Sequence, residues 1–182
     1  GIPELGTSCV RQMLVDTKPK TFSELVRISG FSHGTDVWLN NAQNLITSGT
    51  VPLKEAVSTR DDIMNYLIQH GIKPKTSFKV MENVRKGKGI DKLNKLGQKT
   101  TDYEGELKAG HIPQWFIDSC HKIGYLFPRA HAVAYVMMAF RIAWYKINQP
   151  LAYYSAFFTS RAKAFKLSAM NPGQQRLERA IK

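Results

Sequence analysis

With 182 residues, 43% of them hydrophobic, the chain has enough apolar content to bury one core, or two small lobes sharing a helix, which argues against a disordered chain. Lysine and arginine outnumber aspartate and glutamate by 26 to 14, and the resulting +12 favours a polyanionic partner such as nucleic acid or a nucleotide phosphate. No basic-then-apolar leader opens the chain, and its longest apolar run, Ala132 to Phe140, falls far short of the roughly 20 residues of a membrane span.

The charge is unevenly spread. From Lys122 to Lys182 there are ten basic residues and one acid, Glu178, against sixteen bases and thirteen acids before Lys122. Cys9 and Cys120 stand alone, without the further thiols or spaced histidines of a zinc site, and read as reduced structural residues of a cytoplasmic protein. The chain starts on Gly-Ile-Pro and ends in a charged, helix-like stretch, the look of a piece of a longer chain.

The predicted elements are helices punctuated by glycine and proline. A first helix is expected over about 7–16, and Lys18-Pro19-Lys20 breaks it before Thr21, the cap of a second helix through Ile28. Gly30-Phe31-Ser32-His33-Gly34 reads as a tight loop. Thr35 or Asp36 then caps a helix through Ile46, with Gly49 just beyond it where a left-handed residue is wanted. The pair resembles a helix-hairpin-helix element in spacing, whose outward N–H groups meet phosphate; a plain connection has the same spacing. Ser58 to Asp62 opens a capped amphipathic helix ended at Gly71. Asp61 and Asp62 there oppose the positive helix end rather than bind metal, and Arg60 is electrostatically misplaced unless an anion partners it.

A helix over about 77–84 runs into Arg85-Lys86-Gly87-Lys88-Gly89. Three cations interleaved with two glycines suit backbone bent around a phosphate, without the spacing of a P-loop. They suit equally a glycine-stopped helix end, where cations meet the negative dipole. Residues 91–110 read as a polar, mobile connection with a short helix. His111-Ile112-Pro113 opens a helix whose Trp115, Phe116 and Ile117 are mainly core. Pro128 opens a long one, with His131, Tyr135, Met138 and Ile142 on one face and Arg129 and His131 at its anion-attracting start. Apolar nearly all round, it reads as a buried core helix. A last helix over about 151–165 carries Tyr153, Tyr154, Phe157 and Phe158, read mainly as packing against its predecessor. From it Arg161, Lys163 and Lys166 emerge where they can track a duplex backbone.

Four stretches closely resemble the PolC-type alpha subunit of bacterial DNA polymerase III: Gly-Ile-Pro-Glu-Leu-Gly-Thr at the start, Ile28 to Trp38, Arg60 to Met64, and Val84 to Gly89. So does Phe127 to Tyr135, continuing into Arg141-Ile142-Ala143, and the likeness runs in order through nearly the whole chain, weakening after about Phe165. The resemblance implies a mainly α, irregular multi-helix fingers domain over 1–165, with the helix-hairpin-helix-like element and two long C-terminal helices, and a helical extension or the start of a next region over 166–182. For the whole enzyme it implies template-directed addition of deoxynucleotides to a primer 3′ end. Its ligands are then primer-template DNA and an incoming dNTP, its neighbours the palm and thumb of the same chain, and the sliding clamp is met through other regions. The setting is the nucleoid, with no membrane contact.

In that family magnesium ions are held by upstream palm carboxylates and the substrate phosphates, so no catalytic or metal-binding residue is carried over to this chain. Arg60, Arg85, Lys86 and Lys88 are assigned to triphosphate or DNA phosphates, and Arg129, His131 and Tyr135 to the nucleotide pocket. Ser32 and His33 fall near the base pair, and Arg161, Lys163 and Lys166 on the DNA backbone. The family motif commonly carries lysine where Arg129 stands, which keeps the charge and changes the contact geometry. Two other classes fit the composition. One is a stand-alone basic helical nucleic-acid-binding module. The other is a basic C-terminal third docking on an acidic protein or an anionic membrane, the latter opposed by the lack of a separate basic face on the helix from His131.

Overall fold

Helix starts follow the capping chemistry of the sequence. The computed structural model describes residues 2–161, and the chain divides into two units, 1–140 and 141–182. In order come α1 (Ser8–Thr17), α2 (Phe22–His33), a π-type turn (Trp38–Ala42), α3 (Gln43–Thr47), α4 (Arg60–Gln69), α5 (Pro74–Val84), α6 (Tyr103–Ala109), α7 (Gln114–Lys122), α8 (Arg129–Asn148) and α9 (Pro150–Arg161). Thr7 Oγ1 accepts from Val10 N–H at the start of α1, and Thr21 with Glu24 forms a reciprocal capping box on α2. Gly49 and Gly71, at φ +74° and +83°, follow α3 and α4 as the left-handed stops that the sequence predicts.

The core of the first unit gathers Met13 of α1, Ile28 and Phe31 of α2, Ile63 and Leu67 of α4, Val80 and Val84 of α5, and Phe116 and Ile117 of α7, all essentially buried. Truncating a ring such as Phe31 or Phe116 to alanine in a core of this kind costs about 3–5 kcal/mol. A smaller cluster joins α2 to the first half of α8, with Val26, Ala132 and Val136 buried and Phe127 packed against them.

The helical class is as expected, and the helix-hairpin-helix-like element is not confirmed. Instead of looping at Gly30, α2 continues to His33, because Ser58 C=O lies 2.6 Å from where a Gly30 Cβ would stand, so glycine serves close packing there. Nor does a continuous helix span 35–46. Leu39, Asn40 and Asn41 leave helical geometry, with Asn40 at φ +57°, and the buried Asn41 side chain donates to the carbonyls of Asp36 and Ser119. Along α8 only Ala132, Val136 and Ala139 are buried, whereas Tyr135, Met138 and Phe140 are exposed, so it is not the enclosed helix its composition suggests. In the second unit, Lys146 Nζ lies 5.8 Å and 5.9 Å from the ring centres of Tyr153 and Tyr154, so these two rings of α9 meet the preceding helix, while Tyr154 and Phe158 remain exposed. Cys120 is buried, which pushes its thiol up, but Cys9 is exposed.

The segment Gly124 to Phe127 is bound by backbone at three places. Thr35 N–H donates to Tyr125 C=O, and Thr35 C=O accepts from Gly124 and Tyr125 N–H. Leu126 N–H donates to Arg85 C=O at 3.2 Å, and Arg60 N–H to Phe127 C=O at 3.1 Å. Gly87 permits this approach: its φ is +67°, and a Cβ there would lie 2.4 Å from Gly124 C=O. Gly49 has a similar φ of +74° with open space around it. Gly49→Ala is therefore expected to cost only the left-handed strain, about 1–2 kcal/mol, and Gly87→Ala at least twice as much. Urea denaturation of the two variants measures the difference, and equal losses would rule out the close contact as the reason for Gly87.

Candidate functional site

A cleft of about 170 Å³ opens between the C-terminus of α2 and the start of α8, lined by Glu4, Ser29, His33, Phe127, His131 and Tyr135. The ring of Phe127 lies 5.2 Å from that of His33 and stands edge-on to His131 at 4.6 Å, and His131 lies 4.4 Å from Tyr135, centre to centre. His33 is pinned at both nitrogens. Nδ1 is 2.9 Å from Ser29 C=O and 2.9 Å from Ser32 Oγ, while Nε2 is 2.6 Å from the carboxylate of Glu4, a residue at φ +65°. Ser32 Oγ donates to Ser29 C=O, which leaves its lone pairs for the His33 ring. The buried Ser29 hydroxyl has no hydrogen-bond partner among the described residues.

Beside the cleft, two arginines stand at helix starts where backbone alone would repel them. Arg60 opens α4 and Arg129 opens α8. Their counter-charges come from the capping aspartates. Asp61 accepts the backbone N–H of Arg129 at 2.8 Å and lies 4.0 Å from the Arg60 guanidinium. Asp62 is nearly buried, and accepts from Ser58 N–H, Ser58 Oγ and Thr59 N–H. Its carboxylate also faces Arg27 at 3.3 Å and Arg129 at 3.7 Å. Burial pulls the Arg27 guanidinium down from its ordinary value, Asp62 opposes that, and the neighbouring Arg129 adds to it. Arg27 also donates to Ala56 C=O, so it serves as the fixed partner of Asp62.

The basic loop after α5 is a glycine-stopped helix end, the second of its two sequence readings. Gly87 and Gly89 end the helix in left-handed geometry, and Glu82, one turn back, takes Arg85 in a two-point contact and Lys86 at 3.0 Å. Lys88 is exposed and forms no ion pair among the described residues.

Three of the expected residues, His33, His131 and Tyr135, thus share one cleft, and Ser32 orients the first of them. Arg60, Arg85 and Arg129 adjoin the Gly124–Phe127 segment or the proline that follows it, with Lys86 and Lys88 on the same loop as Arg85. Arg161 is the last residue of α9, and Lys163 and Lys166 lie outside the described residues. Glu4, Arg27 and Phe127 belong to the site without having been singled out from sequence. For Phe127 the signal was its place before Pro128, but Arg27 and Glu4 meet partners far along the chain. A magnesium ion does not fit the aspartate pair, whose oxygens already meet N–H, hydroxyl and guanidinium donors, and the described residues hold no group of three His, Cys, Asp or Glu able to take a metal.

A profile of the bacterial DNA polymerase III alpha subunit finger domain matches residues 1–105. The chain is 56% identical over all 182 residues to the PolC-type DNA polymerase III of Caldanaerobacter subterraneus subsp. tengcongensis, covering 12% of that protein. It is 53% identical over 182 residues to that of Thermotoga maritima, covering 13% of it. Against that of Bacillus subtilis it is 56% identical over 173 residues, 95% of this chain and 11% of the relative.

The Glu82 carboxyl is held down to about 2 by hydrogen bonds from Arg85 first and Lys86 second. A lowered folded value means that the stabilisation is complete above the ordinary 4.5 and disappears as pH falls through about 2. Carboxyl titration followed by NMR should therefore find Glu82 ionised at pH 3.5 and, in Arg85→Ala, protonating closer to 4.5. An unshifted titration in the wild-type chain would show that the pair does not persist in solution.

Proposed function

Because the chain belongs to the finger-domain family of the bacterial DNA polymerase III alpha subunit, we propose that it binds the incoming dNTP and primer-template DNA in a polymerase of which it is about an eighth. The observation that carries this reading is the row of cations beside an aromatic cleft. Arg60, Arg129 and the Arg85–Lys88 loop all adjoin the segment whose Phe127 ring enters the cleft.

Size divides the roles. Pockets that enclose a whole small ligand run to about 300–1,000 Å³, so a cleft of about 170 Å³ suits a base or sugar ring and leaves the triphosphate outside over the cations. His131 and Tyr135 then face the nucleoside, with His33, oriented by Ser32 and Glu4, toward the base pair. Arg60 and Arg129 meet their carboxylates at 4.0 Å and 3.7 Å, long contacts that a phosphate displaces readily, while Arg27 keeps Asp62 compensated. Lys88 meets no carboxylate among the described residues, and Lys86 shares Glu82 with Arg85. Arg161, Lys163 and Lys166 are proposed as contacts to the duplex backbone.

Nucleotidyl transfer gains from such cations by stabilising charge that builds on the transferred phosphate and the leaving pyrophosphate. The divalent metal ions of such polymerases would supply the activated 3′-hydroxyl; we propose magnesium, held by palm carboxylates in another part of the chain. Residues 1–165 are proposed as the fingers and 166–182 as the start of the next region, with palm and thumb as the cover for the exposed apolar side of α8. Clamp contact and a nucleoid location follow from the same reading. No helix among the described residues is long and apolar enough to cross a membrane.

In the intact polymerase, Lys86→Ala or Arg129→Ala should raise the dNTP KM or lower kcat about tenfold, the scale of one hydrogen bond to a charged group. Unchanged steady-state kinetics in both would overturn the assignment. The isolated chain should extend no primer, and templated incorporation by it would refute the division of labour with the palm.

A further inference from the structure

Residues 91–102 close into a hairpin whose ends are anchored with unusual thoroughness for so exposed a segment. At its base Asp91 is buried; one carboxylate oxygen accepts from Tyr103 N–H at 2.6 Å and the other faces Lys99 Nζ at 2.9 Å. Asp91 and Glu104 together raise the Lys99 ammonium from its ordinary value. Along the arms, Lys92 C=O accepts from Thr100 N–H at 2.7 Å, and Lys92 N–H donates to Thr101 Oγ1 at 2.9 Å. At the turn, Asn94 Oδ1 accepts from Leu96 and Gln98 N–H, both at 2.9 Å, and Gly97 turns the chain at φ +76°.

The tip that this framework holds out is chemically one-sided. Residues 92–101 contain three lysines and no acid. Lys92 and Lys95 are exposed and form no ion pair among the described residues, and Leu96 between them is 81% exposed, with Leu93 at 53%. Two exposed leucines on a mobile loop would be unremarkable surface. On a turn held by internal hydrogen bonds at Lys92, Asn94, Leu96, Gly97, Gln98 and Thr100, much of the conformational cost of docking is already met by the fold. The lysines decide the class of partner, because Lys is depleted in protein–protein interfaces and Leu is under-represented among their hot spots, whereas lysine beside an apolar wedge is a recurrent way of gripping DNA.

We propose that the 92–99 hairpin is a preformed DNA-docking tip, with Lys92 and Lys95 against backbone phosphates and Leu96 against a base edge or face. It rests on the polymerase reading and adds a contact outside the nucleotide cleft and the Arg85–Lys88 loop. It makes DNA affinity, and not dNTP use, the property that the hairpin controls.

The test uses the full-length polymerase and fluorescence anisotropy of a labelled primer-template across a salt series. Lys92→Ala/Lys95→Ala should weaken binding several-fold and flatten the slope of log K against log salt by about 1.8, the value for two phosphate contacts on duplex. Leu96→Ser should weaken binding about threefold at every salt concentration without changing the slope, and both variants should keep the wild-type dNTP KM and unfolding midpoint. An unchanged slope in the double-lysine variant overturns the proposal whatever Leu96→Ser does, and points to an acidic protein or a lipid surface instead. If wild-type polymerase extends primers normally in that case, the fingers reading stands and only the hairpin's role is lost. Absence of both primer extension and DNA binding in the wild type would remove both.

Discussion

Helix ends leave backbone groups without partners, and in this domain one extended segment supplies partners to two of them and to a residue just past a third. Gly124 to Phe127 bonds to Thr35 just past the end of α2, to Arg85 C=O at the end of α5 and to Arg60 N–H at the start of α4. Such bonds require backbone to lie against backbone, and that requires residues without side chains. A Cβ on Gly34 would lie 2.9 Å from Tyr125 C=O, and one on Gly87 2.4 Å from Gly124 C=O. Gly87 of the basic loop therefore answers first to this contact. Any phosphate grip the loop has is a consequence of where the segment holds it.

The domain's positive charge is graded by its carboxylates. Asp62 is buried and holds Arg27 firmly, since removing one partner of a buried pair costs about 3–5 kcal/mol. The same carboxylate reaches Arg129 only at 3.7 Å, and Asp61 reaches Arg60 only at 4.0 Å. Glu82 sits between these cases, engaging Arg85 and Lys86 on a half-buried surface. A site that holds its cations on acids of decreasing grip stays folded without ligand and still offers charge to one.

What the sequence disclosed was local. Caps at Thr21 and the 58–62 stretch, stops at Gly49 and Gly71, and the start of α8 after Pro128 each depend on neighbours within a few residues, and each is where the residues predict. Gly30 went the other way because a glycine that breaks a helix and one that admits a distant carbonyl look identical until Ser58, 28 positions on, is brought to it. For the site, the cations and His33, His131 and Tyr135 were legible by type, but their partners were not. The pairs Arg27–Asp62 and Glu4–His33 are 35 and 29 residues apart and belong to no short motif. The hairpin was missed for a similar reason: a polar stretch with one glycine carries no periodicity, and Asp91 shows its anchoring role only once α6 is in place.

Phe127 joins the two halves of the proposed site. Its ring lies between those of His33 and His131, its carbonyl fixes the start of Arg60's helix, and two residues later Arg129 N–H is fixed by Asp61. If the cleft takes the nucleoside and the arginines take phosphate, the distance between the two subsites is set by a few backbone bonds rather than by flexible side chains. Precision in that distance is what an in-line displacement needs, since reacting groups must be held within a fraction of an ångström for positioning to contribute fully. Side-chain changes in the cleft would then alter which ligand is preferred. Changes that move the 124–127 backbone would degrade both subsites together, which is a reason for the glycines on its neighbours to matter as much to activity as the charged residues do.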